Sequence, residues 1–118
     1  MWTYRATCLR WLDGDTIEIR IDCGFRLYTI QRIRLAGLDT PETRSPDPAV
    51  RALAAAATAR AEALLPPGAP CTVVTAANPL DRYGRWLGTL TTASGVDVNA
   101  ALLAEGHARP YDGGARTP

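Results

Sequence analysis

The chain contains no lysine; all thirteen of its basic residues are arginine. It has one histidine, His107, and three cysteines, Cys8, Cys23 and Cys71, with no C-x-x-C pair. An odd cysteine count without paired spacing excludes a disulfide framework, and the scarcity of His and Cys excludes a zinc site. Both absences fit a reducing compartment. No apolar run approaches the ~18 residues of a membrane span. The start, Met1-Trp2-Thr3-Tyr4-Arg5, lacks the basic-then-apolar layout of a secretory signal. The expectation is a cytoplasmic protein without a membrane partner. A net charge of +1 gives little long-range attraction to nucleic acid. Binding to a polyanion therefore needs a local basic site. Arginine suits that role, because its fork makes two parallel hydrogen bonds to one phosphate.

The 118 residues, with ordinary apolar and charged content, suffice for a single domain spanning 1–118. Residues 4–12 read as a first strand that runs into Asp13-Gly14-Asp15. Ile17, Ile19 and Ile21 alternate with Glu18 and Arg20, as in a half-buried strand. After the turn Asp22-Cys23-Gly24, residues 25–35 are rich in β-formers. Their apolar phase changes between Tyr28/Ile30 and Ile33/Leu35, which predicts a bulge or a bend of the kind a strand needs to curl around a barrel. Residues 36–48 form a loop. Asp47-Pro48 is a helix N-cap followed by a first-turn proline. Val50, Leu53, Ala54, Ala57, Ala61, Leu64 and Leu65 mark the buried face of that helix, and Pro66-Pro67-Gly68 ends it. Strands follow at residues 71–76 and 85–91. Asp97 caps a short helix over 98–105, which Gly106 terminates. Tyr111 opens a final turn. The order β-β-β-α-β-β-α predicts an α+β, mainly β fold. Its leading form is an OB-type five-stranded barrel with two flanking helices, and its alternative is a split α+β sheet.

Four segments carry charge that this patterning does not require: Asp13-Gly14-Asp15-Thr16, Arg34 to Glu42, Asp81-Arg82-Tyr83-Gly84-Arg85, and the Tyr111 turn. Hydrolysis of a phosphodiester needs a cation, positive side chains on the phosphate oxygens and an oriented water. Carboxylates from separate strands can share a hard cation such as Ca²⁺ or Mg²⁺. Two arginines can grip the phosphate, and a further carboxylate can orient or deprotonate water. These segments contain all of those groups.

Asp13-Gly14-Asp15-Thr16, then Arg34 with Asp39-Thr40-Pro41-Glu42, then Asp81-Arg82-Tyr83-Gly84-Arg85, resemble the thermonuclease (staphylococcal nuclease-like) family in kind and order. The resemblance covers residues 4–112. It implies an OB-fold barrel and Ca²⁺-dependent cleavage of DNA and RNA at the P–O5′ bond, leaving 3′-phosphates. It implies metal carboxylates at Asp15 and Asp39, a metal-binding main-chain carbonyl at Thr40, and Asp13 behind them. Glu42 would position the attacking water, and Arg34 and Arg85 would bind the scissile phosphate. Arg82, Tyr83 and Tyr111 would lie near the nucleotide, with Arg82 in place of the usual lysine and Tyr111 displaced by one position. Asn99 matches an asparagine that ties loops together. The family's C-terminal helix has no counterpart before Pro118.

Each segment also has an ordinary reading. Asp-Gly-Asp is turn chemistry, Arg34 could be a solvated strand residue, and Asp81 to Arg85 could be a plain hairpin connection. Trp2, Trp11 and Trp86 suit packing at the core or rim, and His107 follows a helix stop. Two rival functions remain at this level: a nucleic-acid-binding OB module without catalysis, and a protein-interaction barrel. The expected protein is a monomeric endonuclease acting on DNA and/or RNA, with no obligate protein partner.

Overall fold

The computed structural model describes residues 2–80 and 85–111, apart from the side chains of 77–79. Among the described residues, seven strands and two helices run in the order β1 (Thr3–Asp13), β2 (Thr16–Asp22), β3 (Tyr28–Leu35), β4 (Leu38–Asp39), α1 (Pro48–Leu64), β5 (Pro70–Leu80), β6 (Trp86–Thr92), α2 (Val98–Ala104) and β7 (Arg109–Pro110). Five of them close a barrel in the order β1-β2-β3-β6-β5. Neighbours are antiparallel except β3 and β6, which run parallel. With the two-residue β4 set aside, this is the strand order of an OB barrel, and the split-sheet alternative falls away.

The alternation read in β2 holds: Ile17, Ile19 and Ile21 point into the barrel and Arg20 points out. Cys8, Ile33, Leu35, Val73 and Leu90 fill the same interior. All three thiols are free, and burial pushes those of Cys8 and Cys71 up to about 11. Trp11 packs into the core and donates its indole N–H to the Leu65 carbonyl at 2.9 Å. Trp2 and Trp86 sit at the rim of a cavity of about 410 Å³.

Asp47 caps α1 by accepting from Ala49 N–H, and Asp97 caps α2 by accepting from Ala100 N–H. Both caps match the sequence reading. The buried face of α1 does not. Ala54, Ala57 and Ala61 are buried, whereas Leu53 is 61% exposed and Val50 and Leu64 are only partly covered. The helix lies too close to the barrel for larger residues. A Cβ on Gly14 would come within 2.9 Å of the Ala57 Cβ.

Two further expectations need correction. The β2–β3 register runs unbroken from Thr16↔Arg34 to Asp22↔Tyr28, so β3 has no bulge. Its apolar residues change phase because Tyr28 and Ile30 face outward into solvent. The irregularities lie elsewhere: in the β1–β2 pairing between Cys8 and Arg10 and between Trp11 and Asp13, and in the β5–β6 pairing between Thr75 and Leu80. The strand expected from residue 25 begins at Tyr28. The small β4–β7 sheet, which pairs Leu38 with Pro110 and Asp39 with Arg109, was not foreseen. Among the described residues no helix is long and apolar enough to cross a membrane.

Candidate active site

Asp13 ends β1, Asp15 precedes β2, and Arg34 lies near the end of β3, opposite Thr16. The β1–β2 turn therefore lies beside the last residues of β3, an adjacency reinforced by the bond from Leu35 N–H to the Asp15 carbonyl. β4 then folds Asp39 and Thr40 back over this corner. Gly14 makes the approach feasible, since a Cβ there would also meet the Thr40 Cγ2 at 3.1 Å. Its φ is not among the positive ones, so close packing, not turn geometry, requires glycine here.

Arg34 is the hub. Its Nη1 lies 2.9 Å from Asp15 Oδ2 and its Nη2 lies 3.1 Å from Asp39 Oδ1, with all three side chains buried. The Arg34 Nη2 also approaches the Leu38 carbonyl at 3.4 Å. Asp15 accepts from the Thr40 main-chain N–H at 3.2 Å and from the Thr16 hydroxyl at 3.1 Å. Behind it, Asp13 accepts from the Asp15 N–H at 3.1 Å. Among the described residues no buried side-chain polar atom is left without a partner. That satisfaction makes a buried ionic cluster tolerable.

The electrostatics follow from this wiring. Burial alone would raise the Asp15 carboxyl. The hydrogen bond with Asp13, the Arg34 charge and the Thr40 N–H outweigh it, and hold Asp15 well below the usual carboxylate range. Asp13 goes the other way. Burial, followed by its hydrogen bond and charge repulsion with Asp15, pushes it up to about 7. Burial opposes the charge of Arg34, and the two carboxylates more than offset that opposition.

The structure thus gathers Asp13, Asp15, Arg34, Asp39 and Thr40. It adds Tyr111, whose ring centroid lies 5.5 Å from the Arg34 guanidinium carbon. Asn99 lies outside the cluster but secures it: its Oδ1 accepts from Leu90 N–H, and its Nδ2 donates to the carbonyls of Ala36 and Gly88. This clamp fixes the turn between β3 and β4. Glu42 is exposed three residues beyond Asp39, on the loop that follows. Arg85 lines a neighbouring surface cavity of about 340 Å³ with Glu18, Arg32 and Trp86. Arg82 and Tyr83 lie outside the described residues, as do the residues after Tyr111.

Sequence reading missed Arg109. Its Nη2 reaches Asp39 Oδ2 at 3.4 Å, and half of its side chain stays in solvent. The only local signal was a cation beside Tyr111. The β4–β7 pairing that delivers it joins residues seventy apart.

Among the described residues no three His, Cys, Asp or Glu side chains gather closely enough to hold a metal alone. The Asp15 and Asp39 carboxylates and the Thr40 carbonyl are hard oxygens. As a donor set they fit Ca²⁺ or Mg²⁺ completed by water, and not a softer ion.

Fold and cluster together define an OB-fold protein with a buried, arginine-bridged acidic site beside strands β2 and β3. The family model that matches the chain is that of staphylococcal nuclease homologues, over residues 32–117. The chain belongs to this family. It is also 31% identical over 113 residues to Endonuclease YhcR of Bacillus subtilis (strain 168), an alignment covering 92% of this chain and 9% of that protein. The chain therefore spans less than a tenth of that relative.

Proposed function

We propose that this domain is a metal-dependent nuclease that hydrolyses phosphodiester bonds of DNA and/or RNA. One observation carries the reading: a buried Arg34 bridges carboxylates from two separate chain segments, Asp15 and Asp39, in a chain of the staphylococcal nuclease family. Core packing alone favours apolar residues at such a place. The name of the Bacillus relative, an endonuclease, supports the same reading.

In this proposal Asp15, Asp39 and the Thr40 carbonyl hold the cation, preferably Ca²⁺, with Mg²⁺ as the alternative. When bound, the cation neutralises phosphate charge and activates water. Arg34 and Arg85 grip the non-bridging oxygens of the scissile phosphate and stabilise the charge that grows on them. Glu42 accepts a proton from the attacking water. The water oxygen bonds to phosphorus, the P–O5′ bond breaks, and the 5′-oxygen leaves as a hydroxyl after protonation, with a 3′-phosphate remaining. Tyr111, Tyr83 and Arg82 contact the nucleotide. Asp13 holds Asp15 in place. The protein acts as a monomer.

The test is a gel assay of single- and double-stranded DNA and RNA with Ca²⁺, Mg²⁺ or chelator, beside Glu42→Gln and Arg85→Ala. Cleavage that requires metal and fails in both variants is the expected result. Binding without cleavage under every condition would assign the domain to non-catalytic nucleic-acid binding.

A further inference from the structure

β7 runs antiparallel to β4 and sets Arg109 directly opposite Asp39. Opposed residues in such a pair project to the same face. The pairing goes on past Pro110, where the Tyr111 N–H donates to the Gly37 carbonyl at 3.0 Å. Tyr111 lies two residues beyond Arg109 and so shares its side. Asp39 therefore faces a row of two side chains. Tyr111 sets its ring centroid 5.5 Å from the Arg34 guanidinium carbon, and Arg109 sets its Nη2 3.4 Å from Asp39 Oδ2.

Asp39 divides its oxygens between two arginines. Oδ1 faces Arg34 at 3.1 Å and Oδ2 faces Arg109. The two guanidinium groups stand one carboxylate apart, in unlike surroundings. The Arg34 side chain is 9% exposed and that of Arg109 is 54% exposed. Arg34 is also fixed by Asp15, whereas among the described residues Asp39 is the one ionic partner of Arg109. A long contact from a half-exposed guanidinium contributes little to stability. It does hold the head in place, and it engages one of the five N–H donors that a guanidinium carries.

We infer that Arg109 binds the phosphate next to the scissile one, and so favours bonds inside a strand over a bond beside an end that lacks a phosphate. This rests on the nuclease reading, in which Arg34 and Arg85 take the scissile phosphate. Asp39 stands between Arg34 and Arg109 and occupies the place from which one phosphate would bridge them. A strand whose scissile phosphate sits on Arg34 therefore offers Arg109 a neighbouring phosphate. Charge selects this ligand. A cationic head at the rim of the site recognises an anion, and a nucleic-acid strand supplies one with every nucleotide. The planar fork matches two phosphate oxygens. Arg109 touches no atom of the bond that breaks, so it acts on substrate choice and not on the chemical step.

The test compares one dinucleotide in three forms: with its internal phosphate alone, with an added 5′-phosphate and with an added 3′-phosphate. KM and kcat are measured for wild type, Arg109→Gln and Arg109→Lys, with circular dichroism to verify folding. The readout is the ratio of kcat/KM with the added phosphate to kcat/KM without it, in which any general effect on the site cancels. In wild type one of the two added phosphates should raise kcat/KM roughly tenfold, mostly through KM, as one charge-assisted hydrogen bond does. In Arg109→Gln that preference should disappear. Arg109→Lys should recover part of it, since an ammonium still binds phosphate as a point charge. A wild-type ratio in folded Arg109→Gln, with all three forms cleaved more slowly or none, would overturn the proposal and reduce Arg109 to a structural tie on Asp39. A wild type indifferent to both added phosphates would overturn it as well. Either result leaves the nuclease reading intact. Wild-type protein that cleaves neither the dinucleotides nor a long strand would overturn that reading, and this proposal with it.

Discussion

Arg34 and Arg60 both hold carboxylates through two nitrogens, but they do so in opposite surroundings. Arg60 in α1 grips Glu105 just beyond α2 at 2.6 and 3.1 Å, with both side chains well exposed. Arg34 makes contacts of 2.9 and 3.1 Å, but to two different aspartates and under cover. Short distances therefore do not rank the two. Water competes for the Arg60 pair and screens it, so its net contribution is small. At Arg34 burial weakens that screening, so removing the guanidinium takes the cation they share from two buried carboxylates. The exposed pair tacks two helices together, and the buried one ties three chain segments into a site.

The largest break in this contrast should come from Arg34→Met. It should lower unfolding stability by about 3–5 kcal/mol in urea titrations at neutral pH and abolish cleavage. Asn99→Ala comes next. It strands Leu90 N–H and the carbonyls of Ala36 and Gly88, and should cost about 2–3 kcal/mol in the same titration. Because Asn99 fixes the turn before Asp39, kcat should fall as well. Gly14→Ala forces a methyl against Ala57 and Thr40 and should cost about 1–3 kcal/mol. Thermal melts of Gly14→Ala that match the wild type would show that α1 can retreat without disturbing Thr40.

Arg60→Gln should give the smallest effect, a melting temperature barely moved at pH 7. What effect there is has a defined sign. The hydrogen bond from Arg60, followed by its charge, holds the Glu105 carboxyl below its ordinary 4.5 against slight desolvation. A carboxyl lowered on folding stabilises above its unfolded value, and that stabilisation fades as pH falls through the native one. Any difference between Arg60→Gln and wild type should thus be present above about pH 4.5 and vanish in stronger acid. A difference that grew on acidification would contradict the assignment.

Much of this architecture is legible in short windows of sequence. The caps at Asp47 and Asp97 and the alternation of Ile17, Ile19 and Ile21 depend on near neighbours, and local chemistry determines them. Asp15, Arg34 and Asp39 can be picked out because their charges serve no periodic pattern, whereas the uncharged Thr40 is named only through the family resemblance. What stays hidden depends on partners distant in sequence. Ala57 is buried and Leu53 exposed because Gly14 admits the helix at close range, and helical spacing cannot report that distance. The outward Tyr28 and Ile30 mimic a bulge because an exposed apolar face breaks the rule by which phase is read. Arg109 meets Asp39 only through a two-residue pairing with no propensity of its own.

In the proposed mechanism Arg34 grips a scissile phosphate as well as holding Asp15 and Asp39. The most direct measurement is kcat of Arg34→Lys on a labelled single-stranded oligonucleotide at saturating Ca²⁺. Lysine keeps the charge but loses the planar fork. A fall of about a hundredfold or more is expected, the usual consequence of losing one preorganised donor to the transition state. A kcat within a few-fold of wild type would contradict it and leave Arg34 as a structural tie between two aspartates.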